Sequence, residues 1–131
     1  MKQASILIVE DEALIRMMLV QMVEELGHRV AAEAGSVDLG QSLAETEDYD
    51  CAILDINLHG TNVLPVAEAV AGRGIPFLFL SGYGSGGVPD AFKGVPVLNK
   101  PCSSDALMRV LAVILPDSTT QKPEDKARTI S

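Results

Sequence analysis

Five short apolar runs alternate with segments of helical period along this chain, and most end on a polar side chain. Ser5-Ile6-Leu7-Ile8-Val9 runs into Glu10-Asp11-Glu12, and Cys51-Ala52-Ile53-Leu54 ends on Asp55. Ile75-Pro76-Phe77-Leu78-Phe79-Leu80 ends on Ser81, and Val95-Pro96-Val97-Leu98 is followed by Asn99-Lys100-Pro101. Near-continuous apolar runs of this length read as strands covered on both faces, the signature of a parallel sheet. His28-Arg29-Val30-Ala31-Ala32-Glu33-Ala34 is the more polar fifth run and reads as an edge strand. Strand and helix signals in alternation predict an α/β fold, a doubly wound five-stranded parallel sheet with helices on both faces. Right-handed crossovers at this size favour the flavodoxin-like strand order 2-1-3-4-5. That order brings Glu10-Asp11, Asp55, Ser81 and Lys100 to one sheet edge, where open α/β sheets bind ligands.

The helices follow the same logic. Ile15, Met18, Leu19, Met22, Val23 and Leu26 form a buried stripe over residues 12 to 26, stopped by Gly27. Leu14, Met17 and Val20 fall off that stripe and predict apolar surface for a partner or a second copy of the chain. Ser36 caps a helix to Glu45, weakened by Gly40, and Thr61 or Asn62 caps one to Ala71 with Pro65 in its first turn. The glycines between Gly82 and Gly87 predict a mobile loop, with at most a short helix near Asp90 to Lys93. Ser103 or Ser104 caps a last helix to Leu115, whose Met108 and Val113 are a second candidate contact surface. Residues 1–116 read as one domain and the polar residues 117–131 as a flexible tail.

Composition narrows the function classes. A formal net charge of −8 speaks against nucleic-acid binding, which needs clustered Lys and Arg. No run approaches membrane-spanning length and the start lacks a signal-peptide pattern, so the expected compartment is the cytoplasm. Cys51 reads as a small core residue, Cys102 as a partly exposed thiol, and His28, at a helix-to-strand turn, as solvated.

Carboxylates converging at one strand edge raise one another's pKa unless a cation neutralises them. Helix N-terminal chemistry suffices for Glu12 but not for three consecutive acids. An all-oxygen set suits a hard ion, and Mg²⁺ takes few carboxylates and keeps waters. Lys100 can pair with Asp55 or with an anionic group added to it, and the Ser81 hydroxyl can donate to such a group. This set suits phosphoryl transfer onto Asp55, since carboxylates serve as phosphoryl acceptors and the transfer needs positioning and charge neutralisation.

Over roughly residues 4 to 115 the chain resembles a receiver domain of a two-component response regulator, the CheY-like stand-alone kind. The resemblance rests on Ile6 to Glu12, Leu54-Asp55-Ile56-Asn57-Leu58, Ser81-Gly82 and Lys100-Pro101. It implies that Asp55 is the phosphoacceptor and that Asp11 binds Mg²⁺ directly, with Glu10 acting mainly through water. It further implies that Asn57 gives its backbone carbonyl to the ion, that Ser81 is the hydroxyl switch residue, and that Lys100–Pro101 is cis. The implied partners are a sensor histidine kinase or histidine phosphotransfer protein and an output protein, with a homodimer as a further option. The implied role is a signalling domain rather than an enzyme. His59 stands where such domains usually carry Pro, Asn62-Val63 where they carry an acid and a glycine, and Val97 where they carry an aromatic. Tyr83 is the nearest substitute for that aromatic. Ser81-Gly82-Tyr83-Gly84 is similar to stand-alone receivers found with the histidine-tryptophan-glutamate class of kinases. Two other classes compete: a docking module that is never phosphorylated, and a small Mg²⁺-dependent phosphohydrolase. The second lacks an acid two residues after the nucleophile, where Asn57 stands.

Overall fold

The structure, a computed structural model, describes residues 3–82 and 87–115. Five parallel strands form one sheet: β1 (Ser5–Val9), β2 (Arg29–Ala34), β3 (Cys51–Asp55), β4 (Phe77–Ser81) and β5 (Val97–Asn99). Their order across the sheet is β2-β1-β3-β4-β5, the flavodoxin-like arrangement that the alternating pattern predicts. Helices α1 (Ala13–Glu25), α2 (Val37–Thr46), α3 (Leu64–Gly72) and α4 (Ser104–Ile114) cover both faces. None of the described helices is long and apolar enough to cross a membrane.

Alternation along the strands divides the core in two, because successive side chains point to opposite faces. Ile6, Ile8, Ile53, Leu78 and Leu80 pack with Leu19, Val23, Leu107 and Leu111 beneath α1 and α4. Leu7, Val9, Leu54 and Phe79 pack with Ala44, Val66 and Val70 beneath α2 and α3. Cys51 is fully buried, and burial pushes its thiol up to about 12, so it behaves as a core residue. Gly40 weakens α2 as a helix former, but the space around it is tight. A Cβ there would lie 3.0 Å from Val9 Cγ1 and 3.2 Å from Val66 Cγ2.

Ser36 and Ser103 cap α2 and α4, accepting the N–H groups of Leu39 and Ala106. Elsewhere the structure corrects the sequence reading. Thr61 and Asn62 do not cap α3 in the ordinary way; they form a two-residue strand antiparallel to Asn57–Leu58. His59 and Gly60 turn that hairpin with φ of 52° and 82°, the positive values that a tight two-residue hairpin turn demands. α3 therefore starts at Leu64, behind Val63. β5 begins at Val97 rather than Val95, because Pro96 has no N–H to give the ladder. The stretch expected to hold at most a short helix near Asp90 to Lys93 does carry only a single 3₁₀ turn, Asp90–Phe92.

His28 is not solvated. It is 6% exposed, and its Nδ1 accepts the Ala4 N–H at 3.0 Å. On α1, Met18 belongs to the predicted buried stripe yet is 39% exposed, beside Leu14 at 69% and Met17 at 66%. Val20, predicted to lie outside, packs partly buried against the core. Met108 and Val113 are exposed, as their spacing on α4 predicts. The tail from residue 117, Tyr83, and most of the Gly82–Gly87 stretch lie outside the described residues.

Candidate functional site

Each candidate side chain is delivered by the end of a strand. β1 ends at Val9, and Glu10 and Asp11 follow it; β3 ends on Asp55 and β4 on Ser81. Lys100 follows β5, and its N–H donates to the Ser81 carbonyl at 2.9 Å, joining the last two strand ends. Parallel order does the rest, since β1, β3, β4 and β5 are consecutive neighbours. Asp11, Glu12, Asp55, Asn57, Ser81 and Lys100 all line one open cavity of ≈ 570 Å³, together with His59, Asn62 and Gly87.

The site is a cluster of acids around one cation. Lys100 Nζ lies 3.1 Å from Asp55 Oδ2, 3.4 Å from Glu10 Oε1 and 3.3 Å from Glu12 Oε1. Glu10 is 0% exposed and Asp55 1%, so both carboxyls have left water. Burial is the main cause that raises the Asp55 carboxyl above its ordinary range, with the Lys100 ammonium pulling the other way. Burial likewise pushes Glu10 up to about 7; the Glu12 N–H on Oε2 opposes this and the nearby Asp55 charge adds to it. Burial alone would lower the Lys100 pKa, but its hydrogen bond to Asp55 and the surrounding acids raise it instead. Lys100 is thus a fixed positive charge at neutral pH.

Asp11 differs from its neighbours. Its Oδ2 accepts the His59 N–H at 2.9 Å, with His59 Nδ1 at 3.4 Å. Burial, the largest single influence, raises Asp11, yet the His59 N–H and the other hydrogen bonds together outweigh it and leave the pKa lowered. Its shift is thus opposite in direction to those of Glu10 and Asp55.

One oxygen each from Glu10, Asp11 and Asp55 lie within 4.8 Å of one another. Three carboxylates, those of Glu10, Glu12 and Asp55, share one lysine, and Asp11 stands beside them. This all-oxygen, negatively charged donor set fits a hard divalent cation such as Mg²⁺. Asn57 donates its N–H to Asp55 Oδ1 at 3.3 Å, and its side-chain oxygen accepts the Gly60 N–H at 2.7 Å. Ser81 is 3% exposed at the cavity wall. Lys100–Pro101 is cis. Val97, the switch candidate on β5, pairs with Phe79 and packs against the core beneath α2 and α3.

Three contributors were absent from the sequence reading. Glu12, assigned to helix chemistry, makes no side-chain cap bond and turns to Lys100 instead. His59 reaches Asp11 only because the hairpin folds it back, and the spacing Asn57-x-x-Gly60 was the available signal. Arg16 on α1 donates from Nη1 to the Glu10 carbonyl at 2.7 Å and pairs through Nε with Glu33 at 3.4 Å, tying the end of β1 to β2.

Comparison with known proteins agrees with this geometry. A family model described as the response regulator receiver domain matches residues 6–112. The solution structure of SdrG from Sphingomonas melonis Fr1 is 41% identical with a TM-score of 0.77, covering 86% of this chain and 96% of that one. The receiver domain of the Erythrobacter litoralis response regulator PhyR is 25% identical with a TM-score of 0.74, covering 86% of this chain and 90% of that one. The transcriptional regulatory protein PdtaR of Mycobacterium tuberculosis is 35% identical over 79 residues, 60% of this chain. The match spans only 38% of that curated relative's length. With the acid cluster, the lysine and the strand order all in place, the chain belongs to the response regulator receiver domain family.

Proposed function

We propose that this domain accepts a phosphoryl group on Asp55 from a phosphohistidine of a sensor kinase or phosphotransfer protein, in an Mg²⁺-dependent reaction. It then acts by binding an output protein or by passing the group on, with residues 1–116 as the working unit and the cytoplasm as its compartment. The observation that carries this reading is the buried Asp55 carboxylate, held at 3.1 Å by Lys100 and open to a cavity of ≈ 570 Å³.

In the transfer, an Asp55 oxygen attacks phosphorus and forms the new P–O bond. The P–N bond to the donor imidazole breaks and its electron pair returns to that nitrogen. Such transfers depend on alignment and on neutralising the phosphoryl oxygens rather than on acid–base chemistry. Lys100 supplies fixed charge beside Asp55, and the Ser81 hydroxyl at the cavity wall is placed to donate to a phosphoryl oxygen. The carboxylates of Glu10, Asp11 and Asp55 and the Asn57 carbonyl would hold Mg²⁺, which when bound would supply the remaining positive charge. Arg16 and His59 position Glu10 and Asp11 for that cation. Leu14 and Met17, exposed on α1, offer apolar surface to a donor protein.

The test is intact-mass measurement after incubation with Mg²⁺ and acetyl phosphate. The wild-type chain gains one phosphate, and neither Asp55→Asn nor wild type with chelator does so. An unmodified wild type points to a docking-only module. An equal gain in Asp55→Asn removes Asp55 as the acceptor.

A further inference from the structure

Gly87 is clamped between two residues of the loop that follows Asp55. Its carbonyl accepts a hydrogen bond from Asn62 Nδ2 at 3.0 Å. On its other side, a Cβ built on Gly87 would lie 3.2 Å from Ile56 Cγ2, and Ile56 is the residue next to Asp55. Gly87 also has φ of +87°, a conformation that side-chain-bearing residues rarely adopt. Both the space and the backbone therefore keep this position a glycine.

Asn62 is itself tied to Asp55 through a short hydrogen-bonded path. Asn57 donates its N–H to Asp55 Oδ1 and is the register partner of Asn62 in the hairpin. The hairpin is braced by the Gly60 N–H on Asn57 Oδ1, and Val63 N–H donates to the Ile56 carbonyl at 2.9 Å. Asn62 Oδ1 accepts the Leu64 N–H at 2.9 Å, so the side chain is fixed at both ends and its amide is aimed at Gly87. Beyond Gly87, Val88 and Phe92 pack against the core beneath α2 and α3. Phe92 meets Phe77 and Phe79 of β4 edge-on, with ring centroids 5.5 and 6.5 Å away.

We infer that Asn62 is the positioning residue that couples the state of Asp55 to the segment Gly87–Phe92. The inference rests on Asp55 being the phosphoacceptor. A phosphoryl group on Asp55 changes what the Asn57 N–H faces. The braced hairpin carries that change as a unit, and the Asn62 amide passes it to the Gly87 carbonyl. From there it reaches Phe92 and its aromatic contacts on the outer side of β4. This route does not pass through Val97, whose side chain has no polar atom with which to follow a hydroxyl at Ser81.

Two variants separate the link from the fold. Asn62→Asp keeps an oxygen for the Leu64 N–H but sets a carboxylate against the Gly87 carbonyl. Asn62→Ser also keeps an oxygen but is too short to reach Gly87, and adds no charge. Amide resonances of Val88 and Phe92 are followed by NMR in Mg²⁺, with and without acetyl phosphate, alongside intact mass. The wild type gains a phosphate and shifts these resonances. In the molecules that intact mass shows to be phosphorylated, both variants lose about fivefold of the shift, the population weight of one ordinary hydrogen bond. A wild-type-sized shift in either phosphorylated variant overturns the coupling and leaves the phosphoacceptor reading standing. Absence of phosphate on the wild type overturns both.

Discussion

The buried His28 makes a prediction that is independent of the acid cluster. At the entry to β1 the N–H groups of Ala4 and Ser5 both go to side chains. Ala4 N–H donates to His28 Nδ1 at 3.0 Å, and Ser5 N–H donates to Asp50 Oδ2 at 2.8 Å. Nδ1 accepts only while it carries no proton, so the fold selects neutral imidazole. Burial accordingly lowers the His28 pKa, and the negative charge of Asp50 opposes it. The folded chain then binds fewer protons at this site than the unfolded chain. Stability from His28 is complete above the unfolded value of 6.5 and is lost as pH falls below it. Leaving a buried N–H without its acceptor costs about 1–3 kcal/mol. Each kcal/mol moves the Tm of a domain this size by roughly 3–6 °C. The check is urea unfolding of wild type and His28→Leu at about pH 8 and about pH 5, near either side of the histidine range. At the higher pH the variant is less stable by about 1–3 kcal/mol. At the lower pH the gap narrows, because protonation takes the acceptor from the wild type too. The exposed His59 is common to both proteins and cancels in the comparison. Equal stability at the higher pH, or a gap of unchanged size at both, refutes the reasoning.

Two other substitutions report on the site and on the packing beneath it. Glu10 titrates at about 7 against an ordinary 4.5, so stability linked to it is present below 4.5 and lost as pH rises through 7. The interval corresponds to about 3 kcal/mol at most. In chelator, thermal unfolding of Glu10→Gln should therefore show a gain over wild type near pH 8 that vanishes near pH 4, and a gain equal at both would contradict the assignment. Gly40→Ala improves helix propensity by about 1 kcal/mol, but its methyl meets Val9 and Val66 at 3.0 and 3.2 Å, and overpacking costs about 1–3 kcal/mol. Denaturant unfolding should show a net loss, and a stabilised variant would mean that α2 moves freely off the sheet.

What the residues disclosed in advance, and what they hid, divides along one physical line. Strand faces are set by alternation, and alternation can be read: Leu7 and Val9 lie on one face, Ile6 and Ile8 on the other, and four strands in order carry their polar ends to one edge. Asp55, Lys100, Ser81, Glu10 and Asp11 were legible for that reason. The contacts of His59 and Asn62 depend instead on a hairpin of two-residue strands, too short for any period to register. His28 was misread for a related reason. The need it serves belongs to Ala4, whose N–H precedes the ladder, and no pattern in β1 reports an unpaired donor. Strand patterning therefore brings the acids together, while the connecting turns decide how each is held and what answers to it. Asp11 is held by a turn N–H and Glu10 through its carbonyl by Arg16, whereas Asp55 alone faces both Lys100 and the hairpin. A reactive carboxylate placed by the sheet and read out through a loop can keep its chemistry while the loop sequence changes. On the function proposed above, this chain is such a case, with His59 and Asn62 in the loop that follows Asp55.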